Sequence, residues 1–397
     1  MHMHKSIREK SGNHLMMTKK DCYIISIQRE AFKFYNSREE KDEMTGKMKG
    51  YGVVVPFKEF GQIEAEIPQI GVLDALAEPV ALAACSSDPH QVHAGLPSGL
   101  ILGHEVVARI VEVGSEVKCY KPGDIVAVGA VTPDYLTTEI QDNIPQHSGG
   151  TLGGMNWCTM ENGTFAEYFR IRQVDMNAAL IPEGLTYEHA LMAADMCTTG
   201  FHGAELANIQ FGDTVVVCGV GPVGLMSVAA AALRGAGRLI AIGNRKNTLE
   251  LAKEYGATDV LSYKDGPIDQ QVIELLGGKQ PDAVISAGGN AESFAQCVSM
   301  VKANGYVSNI NAQTFDMVIP FAATGGCCTH KKINGGLCPG GRRRLERLFD
   351  IMLAGRLDPT KLISHRFHGM EHIMDAYELM DNKGAHPDVV KPVVYID

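Results

Sequence analysis

The stretch Thr214-Val215-Val216-Val217-Cys218-Gly219-Val220-Gly221-Pro222-Val223-Gly224 decides the reading of this chain. Its first five residues form a continuous apolar run, the pattern of a parallel strand covered on both faces. Gly219, Gly221 and Gly224 then lead into an Ala-rich, helix-like stretch that runs to about residue 233. Pro222 suits the first turn of that helix, where its missing N–H costs nothing. The alternation continues with a strand at 238–242, a helix through 249–255, a strand at 259–261, a helix near 272–276 and a strand at 282–286. Strands and helices alternating in this way predict a doubly wound parallel sheet.

A glycine pattern of this length is weak evidence by itself. Here it lies between a buried strand and a helix, so that backbone N–H groups at the helix N-terminus can meet a pyrophosphate. The next strand end selects the nicotinamide cofactor. NAD sites place an acid there, about 20 residues on, to bond the ribose 2′-hydroxyl. This chain has Gly243-Asn244-Arg245-Lys246 instead. Glycine leaves room for a 2′-phosphate, asparagine can donate to it, and arginine can pair with it bidentately, so the expected cofactor is NADP(H). The plain alternative for Arg245 and Lys246 is a solvated helix start.

Upstream, from 48 to about 198, short apolar strands separated by Gly, Pro and Asp suggest a mainly β domain. The clearest are 51–55, 79–83, 106–113 and 125–128. Cys85 and the pair His104-Glu105 bracket this region's centre. A thiol and an imidazole with an adjacent acid form a soft-plus-borderline set that suits Zn²⁺. Taken singly, such a cysteine reads as a small core residue and such a histidine as a bonded structural one.

Gly103-His104-Glu105, then Gly114, then Pro122-Gly123-Asp124, followed by Gly219 to Gly224, resembles the zinc-containing medium-chain alcohol dehydrogenases. Within them the chain is similar to the NADP-dependent secondary-alcohol (isopropanol) branch, from Met48 to Asp397. The resemblance implies an α/β protein: a GroES-like β domain over 48–198 completed by 338–397, and a Rossmann NADP-binding domain over 199–337 with its doubly wound parallel sheet. It implies Asp195 as a third zinc ligand, with Cys197 as a nearby competitor. Glu105 is left as either an exchangeable fourth ligand or a group behind the ligands. Ser87 and His90 match the proton relay, although Pro89 between them replaces an expected hydrophobic residue. Tyr263 matches a cofactor-side tyrosine. Tyr135 stands where the branch has a Trp, and Cys338 matches a residue that reaches the pocket from across the two domains. Arg342-Arg343-Arg344, just beyond, read as a solvated or interface helix face.

The implied activity is zinc-dependent interconversion of a secondary alcohol and a ketone, or small aldehydes, with NADP(H), by a homotetramer. A zinc polyol dehydrogenase or aldehyde reductase would share the motifs, and a non-catalytic NADP(H)-binding protein would typically lack the zinc set. Between 129 and 163 only Cys158 is a cysteine, so a four-thiolate structural zinc is not expected, leaving one catalytic zinc per subunit.

Composition narrows the class. A 397-residue chain that is 45% hydrophobic can bury a large core. Its net charge of −10 argues against nucleic acid or an anionic membrane as partner. Ten cysteines without regular spacing fit a reduced, cytoplasmic protein. Residues 1–47 are polar and mixed in charge, and read as an N-terminal extension, disordered or upstream of a start at Met44 or Met48.

Overall fold

The computed structural model describes residues 46–311 and 316–396. The extension expected over 1–47 therefore lies almost wholly outside the described residues.

The apolar runs become two sheets and a hairpin. The hairpin pairs β1 (Lys47–Val55) with β2 (Glu59–Glu66). The first sheet takes β3 (Ala75–Ala83), β4 (Val106–Val113), β5 (Ile125–Val128), β6 (Phe169–Ile171) and β7 (Ala178–Leu180). The second is built from β8 (Thr214–Cys218), β9 (Arg238–Gly243), β10 (Asp259–Ser262), β11 (Ala283–Ser286), β12 (Tyr306–Asn309) and β13 (Lys332–Gly335). The chain then returns to the first sheet with β14 (Ile363–His368) and β15 (Lys391–Tyr395), giving the order β14-β15-β3-β4-β5-β7 with β6 on β3.

The second sheet has the order β10-β9-β8-β11-β12-β13 and every pairing in it is parallel. Its strand order reverses between β8 and β11, the place where open α/β sheets bind ligands. The helices that cover it are α5 (Pro222–Leu233), α6 (Lys246–Glu254), α7 (Ile268–Leu275) and α8 (Ala291–Met300), after α1 (Ser87–His93), α2 (Val174–Asn177), α3 (Tyr187–Met192) and α4 (Thr198–Leu206) earlier in the chain. α9 (Arg342–Leu353) and α10 (Ile373–Asp381) follow. α5 is buried on nearly every side, as a sequence whose one polar side chain is Ser227 requires, and Ser227 donates to Gly200 O and Val223 O.

Pro79 lies inside β3, where a proline cannot give a ladder hydrogen bond; the register shifts between Pro79 and Ala81, so the missing donor falls at an irregularity. The run read as 79–83 is thus the second half of a longer strand. β12 and β13 were not legible as strands. Each is only four residues long and half-buried in part, too short for periodicity to separate from a loop.

Candidate active site

Four potential metal donors converge. Cys85 ends the segment after β3, His104 and Glu105 precede β4, and Asp195 lies between α3 and α4; one donor atom of each falls within 4.8 Å of the others. His104 Nε2 is 3.8 Å from Glu105 Oε1 and 3.8 Å from Asp195 Oδ2. Ligand atoms around a tetrahedral zinc are separated by about 3.3 to 3.6 Å, so a modest contraction seats the ion.

Local backbone geometry aims these groups. Asp195 sits in a π-helical turn, Ala193–Cys197, where one extra residue per turn rotates the side chain out of the helical register. Thr199 Oγ1 donates to Asp195 Oδ1 at 2.7 Å and also meets Cys338 Sγ at 3.4 Å. Cys338, from the segment before α9, is thereby brought against the cluster. Cys197, the competing ligand, points instead at Met226 Sδ, 3.5 Å away, and burial pushes its thiol pKa far up.

The charges around the cluster are closely balanced. Burial alone would discharge His104, yet Asp88, Cys158 and Cys85 around it hold its pKa well above the ordinary value. Burial raises Glu105 to about 7, against the pull of Lys391. Glu105 Oε2 is buried and has no hydrogen-bond partner. A thiol, an imidazole and two carboxylates sharing a partly buried site, with an orphaned carboxylate oxygen, fit Zn²⁺, which would relieve the repulsion between the carboxylates.

Residues that the sequence reading missed complete the surroundings. Asp88 is fully buried, accepts the Cys85 N–H at 2.8 Å and places Oδ1 3.5 Å from His104 Nδ1. Such a carboxylate fixes the tautomer and ring orientation of a ligating histidine. Lys391 binds Glu105 from β15. The Cys158 thiol donates to Gly103 O at 3.1 Å, beside the histidine. Lys383 donates to Ser86 Oγ, and burial brings its pKa down to about 8. The spacing Cys85-x-x-Asp88 was a visible signal for the first; no local pattern marks Lys391.

Ser87 Oγ lies 3.5 Å from His104 Nε2, on the cluster side of α1. His90, one turn on, is exposed; partial burial of its ring, with Lys383 and His93, lowers its pKa. Tyr135 donates its backbone N–H to Gln173, and its hydroxyl lies against Gly341, where an added β-carbon would fall 1.9 Å away. Arg344 lies on the face read as solvated or interface. It bonds the Thr198 carbonyl and hydroxyl and Glu205, with its side chain 14% exposed, while Arg343 beside it is 67% exposed.

The glycine fingerprint has the geometry its sequence suggested. Gly219 has φ +93°, and a β-carbon on Gly224 would fall 1.8 Å from Gly219 O. A β-carbon on Gly221 would meet nothing within 4 Å, leaving the approach to the N-terminus of α5 open. Beside it is a cavity of about 470 Å³ lined by Gly219, Ile242, Tyr263, Gly288, Asn290 and Ser293. Gly243 is needed for packing as well as space, since a β-carbon there would come 2.2 Å from Val220 Cγ2. Arg245 caps α6 and donates to Val389 O, Asn244 is half-buried beside it, and Lys246 is exposed.

Residues 73–183 match the family model "Alcohol dehydrogenase GroES-like domain" and residues 222–352 match "Zinc-binding dehydrogenase". The NADP-dependent isopropanol dehydrogenase of Thermoanaerobacter brockii is 49% identical over 354 residues, covering 88% of this chain and 100% of the relative. That of Entamoeba histolytica is 49% identical over 360 residues, covering 89% and 98%. The solved alcohol dehydrogenase of Thermus sp. ATN1 superposes with a TM-score of 0.77 at 25% identity, over 88% of this chain and 100% of that one. The chain belongs to the zinc-containing medium-chain alcohol dehydrogenase family, in the branch of the NADP-dependent isopropanol dehydrogenases.

Proposed function

We propose that this chain interconverts a secondary alcohol and a ketone with NADP(H), holding one catalytic zinc per subunit at Cys85, His104 and Asp195, with Glu105 as an exchangeable fourth group. The observation that carries the reading is the convergence of those four donors to within 4.8 Å of one another, with a buried Glu105 whose Oε2 has no hydrogen-bond partner. When bound, zinc supplies Lewis-acid polarisation of the substrate oxygen and the nicotinamide supplies or accepts the hydride.

The residues of the chain do the rest. Asp88 holds the His104 ring in orientation from behind, and Lys391 offsets the charge of Glu105. Ser87, facing the cluster, is the first carrier of the substrate's proton, and the exposed His90 passes it to solvent. Cys338 and Thr199 form one wall beside Asp195, and Tyr135 sets the width of the pocket near Gly341. Gly219 and Gly221 would admit the pyrophosphate at the N-terminus of α5, with Gly224 needed for the close packing on Gly219; Gly243, Asn244, Arg245 and Tyr263 would surround the adenosine end and its 2′-phosphate.

The division into 48–198 with 338–397, and 199–337, is supported by the chain's leaving the first sheet after β7, building the second sheet and returning to the first with β14. A homotetramer would cover large apolar side chains left exposed, such as Leu136 and Phe211. No helix among the described residues is long and apolar enough to cross a membrane, and a cytoplasmic location is the reading that the cysteine content supports. The deciding experiment follows NADPH oxidation with acetone, 2-butanone and acetaldehyde, with NADH in parallel, before and after chelation. Ketone reduction with NADPH that disappears on zinc removal supports the proposal; a preference for NADH would refute the cofactor assignment.

A further inference from the structure

The chain leaves the first sheet after β7, enters the second through α4, and comes back between β13 and α9. These two passages lie against each other. Thr198 Oγ1 donates to Pro339 O at 3.1 Å, and Thr199 Oγ1 lies 3.4 Å from Cys338 Sγ. The same junction carries a metal donor, since Thr199 Oγ1 also donates to Asp195 Oδ1 at 2.7 Å. On its other side the turn bearing Asp195 is held from the first sheet, where the Ala130 N–H donates to Ala194 O at 2.9 Å.

One side chain fastens the junction. Arg344 Nε donates to Thr198 Oγ1 at 3.0 Å, Nη2 to Thr198 O at 2.8 Å and Nη1 to Glu205 Oε1 at 2.6 Å, so each guanidinium nitrogen has a partner on α4. The second oxygen of Glu205 is 3.3 Å from His202 Nδ1, which fixes the carboxylate in turn. Arg342 and Arg343 pair instead with Glu346 on their own helix. Thr198, 2% exposed, accepts from Arg344 and donates to Pro339 through one hydroxyl, and so joins the two passages.

Resting on the zinc and ketone reading above, we propose that Arg344 is a positioning residue for the reaction: by clamping Thr198 it sets where Asp195 and Cys338 stand relative to Cys85 and His104. The influence runs from the guanidinium to Thr198, and from there along two short branches. One passes through the next residue, Thr199, to Asp195; the other passes through the Pro339 carbonyl to Cys338. A rigid fork is needed, because the three bonds diverge to a hydroxyl, a carbonyl and a carboxylate. An ammonium is a point charge on a flexible stem and cannot hold all three in that geometry. Small displacements matter here, since a shift of about 1 Å arising far from the chemistry can cost about 100-fold in rate.

The test uses the full-length protein and two variants. Arg344→Lys keeps the charge and loses the fork. Arg344→Gln combined with Glu205→Gln removes both charges together, so that neither is stranded. Zinc affinity is measured by chelator competition, and KM for 2-butanone and for NADPH at saturating zinc, with the thermal midpoint alongside. Both variants should bind zinc about 10-fold more weakly, with a raised KM for 2-butanone and an unchanged KM for NADPH. A lowered midpoint with zinc affinity and the 2-butanone KM at their wild-type values would mean a role in folding only and would overturn the proposal. So would full recovery of both by Arg344→Lys, which would reduce Arg344 to a counter-charge for Glu205, or equal losses for 2-butanone and NADPH, which would indicate general loosening. Wild-type protein that neither binds zinc nor reduces 2-butanone would refute the zinc and ketone reading itself; an active wild type with unaffected variants would refute the role of Arg344 alone.

Discussion

Lys391 and Glu105 form an ion pair in which both side chains are fully buried, with Nζ 2.5 Å from Oε1, between residues 286 positions apart. The pair ties the last strand of the first sheet to the donor cluster. Burial would discharge the lysine, but Glu105 holds its pKa above the ordinary value. Removing one partner of a buried pair strands the other charge, at a cost of about 3–5 kcal/mol. Lys391→Met should accordingly lower folding stability by that amount in denaturant titration at fixed zinc. An unchanged midpoint would mean that the pair contributes nothing net to folding.

Asp88 should act on the metal through His104. Loss of such a supporting carboxylate weakens metal binding or activity by about 10- to 100-fold. Asp88→Ala should show this in competition with a chromophoric chelator. If zinc affinity is untouched, the carboxylate serves only to accept the Cys85 N–H.

Two glycines of the fingerprint should separate folding from binding. Gly224→Ala places a methyl against the Gly219 carbonyl, which is backbone and cannot give way, so stability falls. Gly221→Ala meets no protein atom within 4 Å, so the thermal midpoint stays and NADPH affinity drops. Calorimetry and fluorescence titration of both variants would reveal the split; equal effects on both properties would sink it.

Arg245 should discriminate the two nicotinamides. A charge-assisted hydrogen bond contributes about 1.5–3 kcal/mol. Arg245→Gln should thus weaken NADPH binding by about 10- to 100-fold and leave NADH nearly unaffected, as measured by equilibrium titration. Equal losses for both cofactors would show that Arg245 acts on α6 and Val389 rather than on the 2′-phosphate.

Acid stability should depend on Glu205. Burial would raise its carboxyl pKa, but hydrogen bonds from His202 and Arg344 outweigh this and bring it down to about 2. A folded-state value below the unfolded one gives stability that is complete above the ordinary carboxylate range and is lost as pH falls towards about 2. Glu205→Gln should flatten this acid limb of the stability curve. The two proteins should differ little when both are denatured near the bottom of that limb.

Much of the site was legible because its chemistry is local. Cys85, His104-Glu105 and the three glycines each stand at a strand end with an unmistakable chemical type, and the structure gathers the metal donors into one cluster. Asp195 came from resemblance alone, since nothing in Ala194-Asp195-Met196 announces a π-helical turn. The same segment offered Cys197, and only the extra residue in that turn decides which side chain faces the cluster. Which arginine would be solvated was not legible, because a run of three arginines has no intrinsic direction; Arg344 is held by Thr198 and Glu205 from another helix while Arg343 stays in solvent.

The sequence by itself determined the doubly wound sheet, the place of the phosphate-binding turn and the chemical types of the metal donors. These rest on hydrophobic periodicity, glycine conformational freedom and ligand softness, all properties of a few neighbouring residues. Only the tertiary structure decided that Lys391 neutralises Glu105, that Asp88 stands behind His104, and that Thr199 links Asp195 to Cys338. Those relationships join residues brought together from separate segments by the sheets. Their energies come from burial, which strengthens a charge pair and penalises an unpaired one, and burial is a property of the folded whole rather than of any stretch of chain.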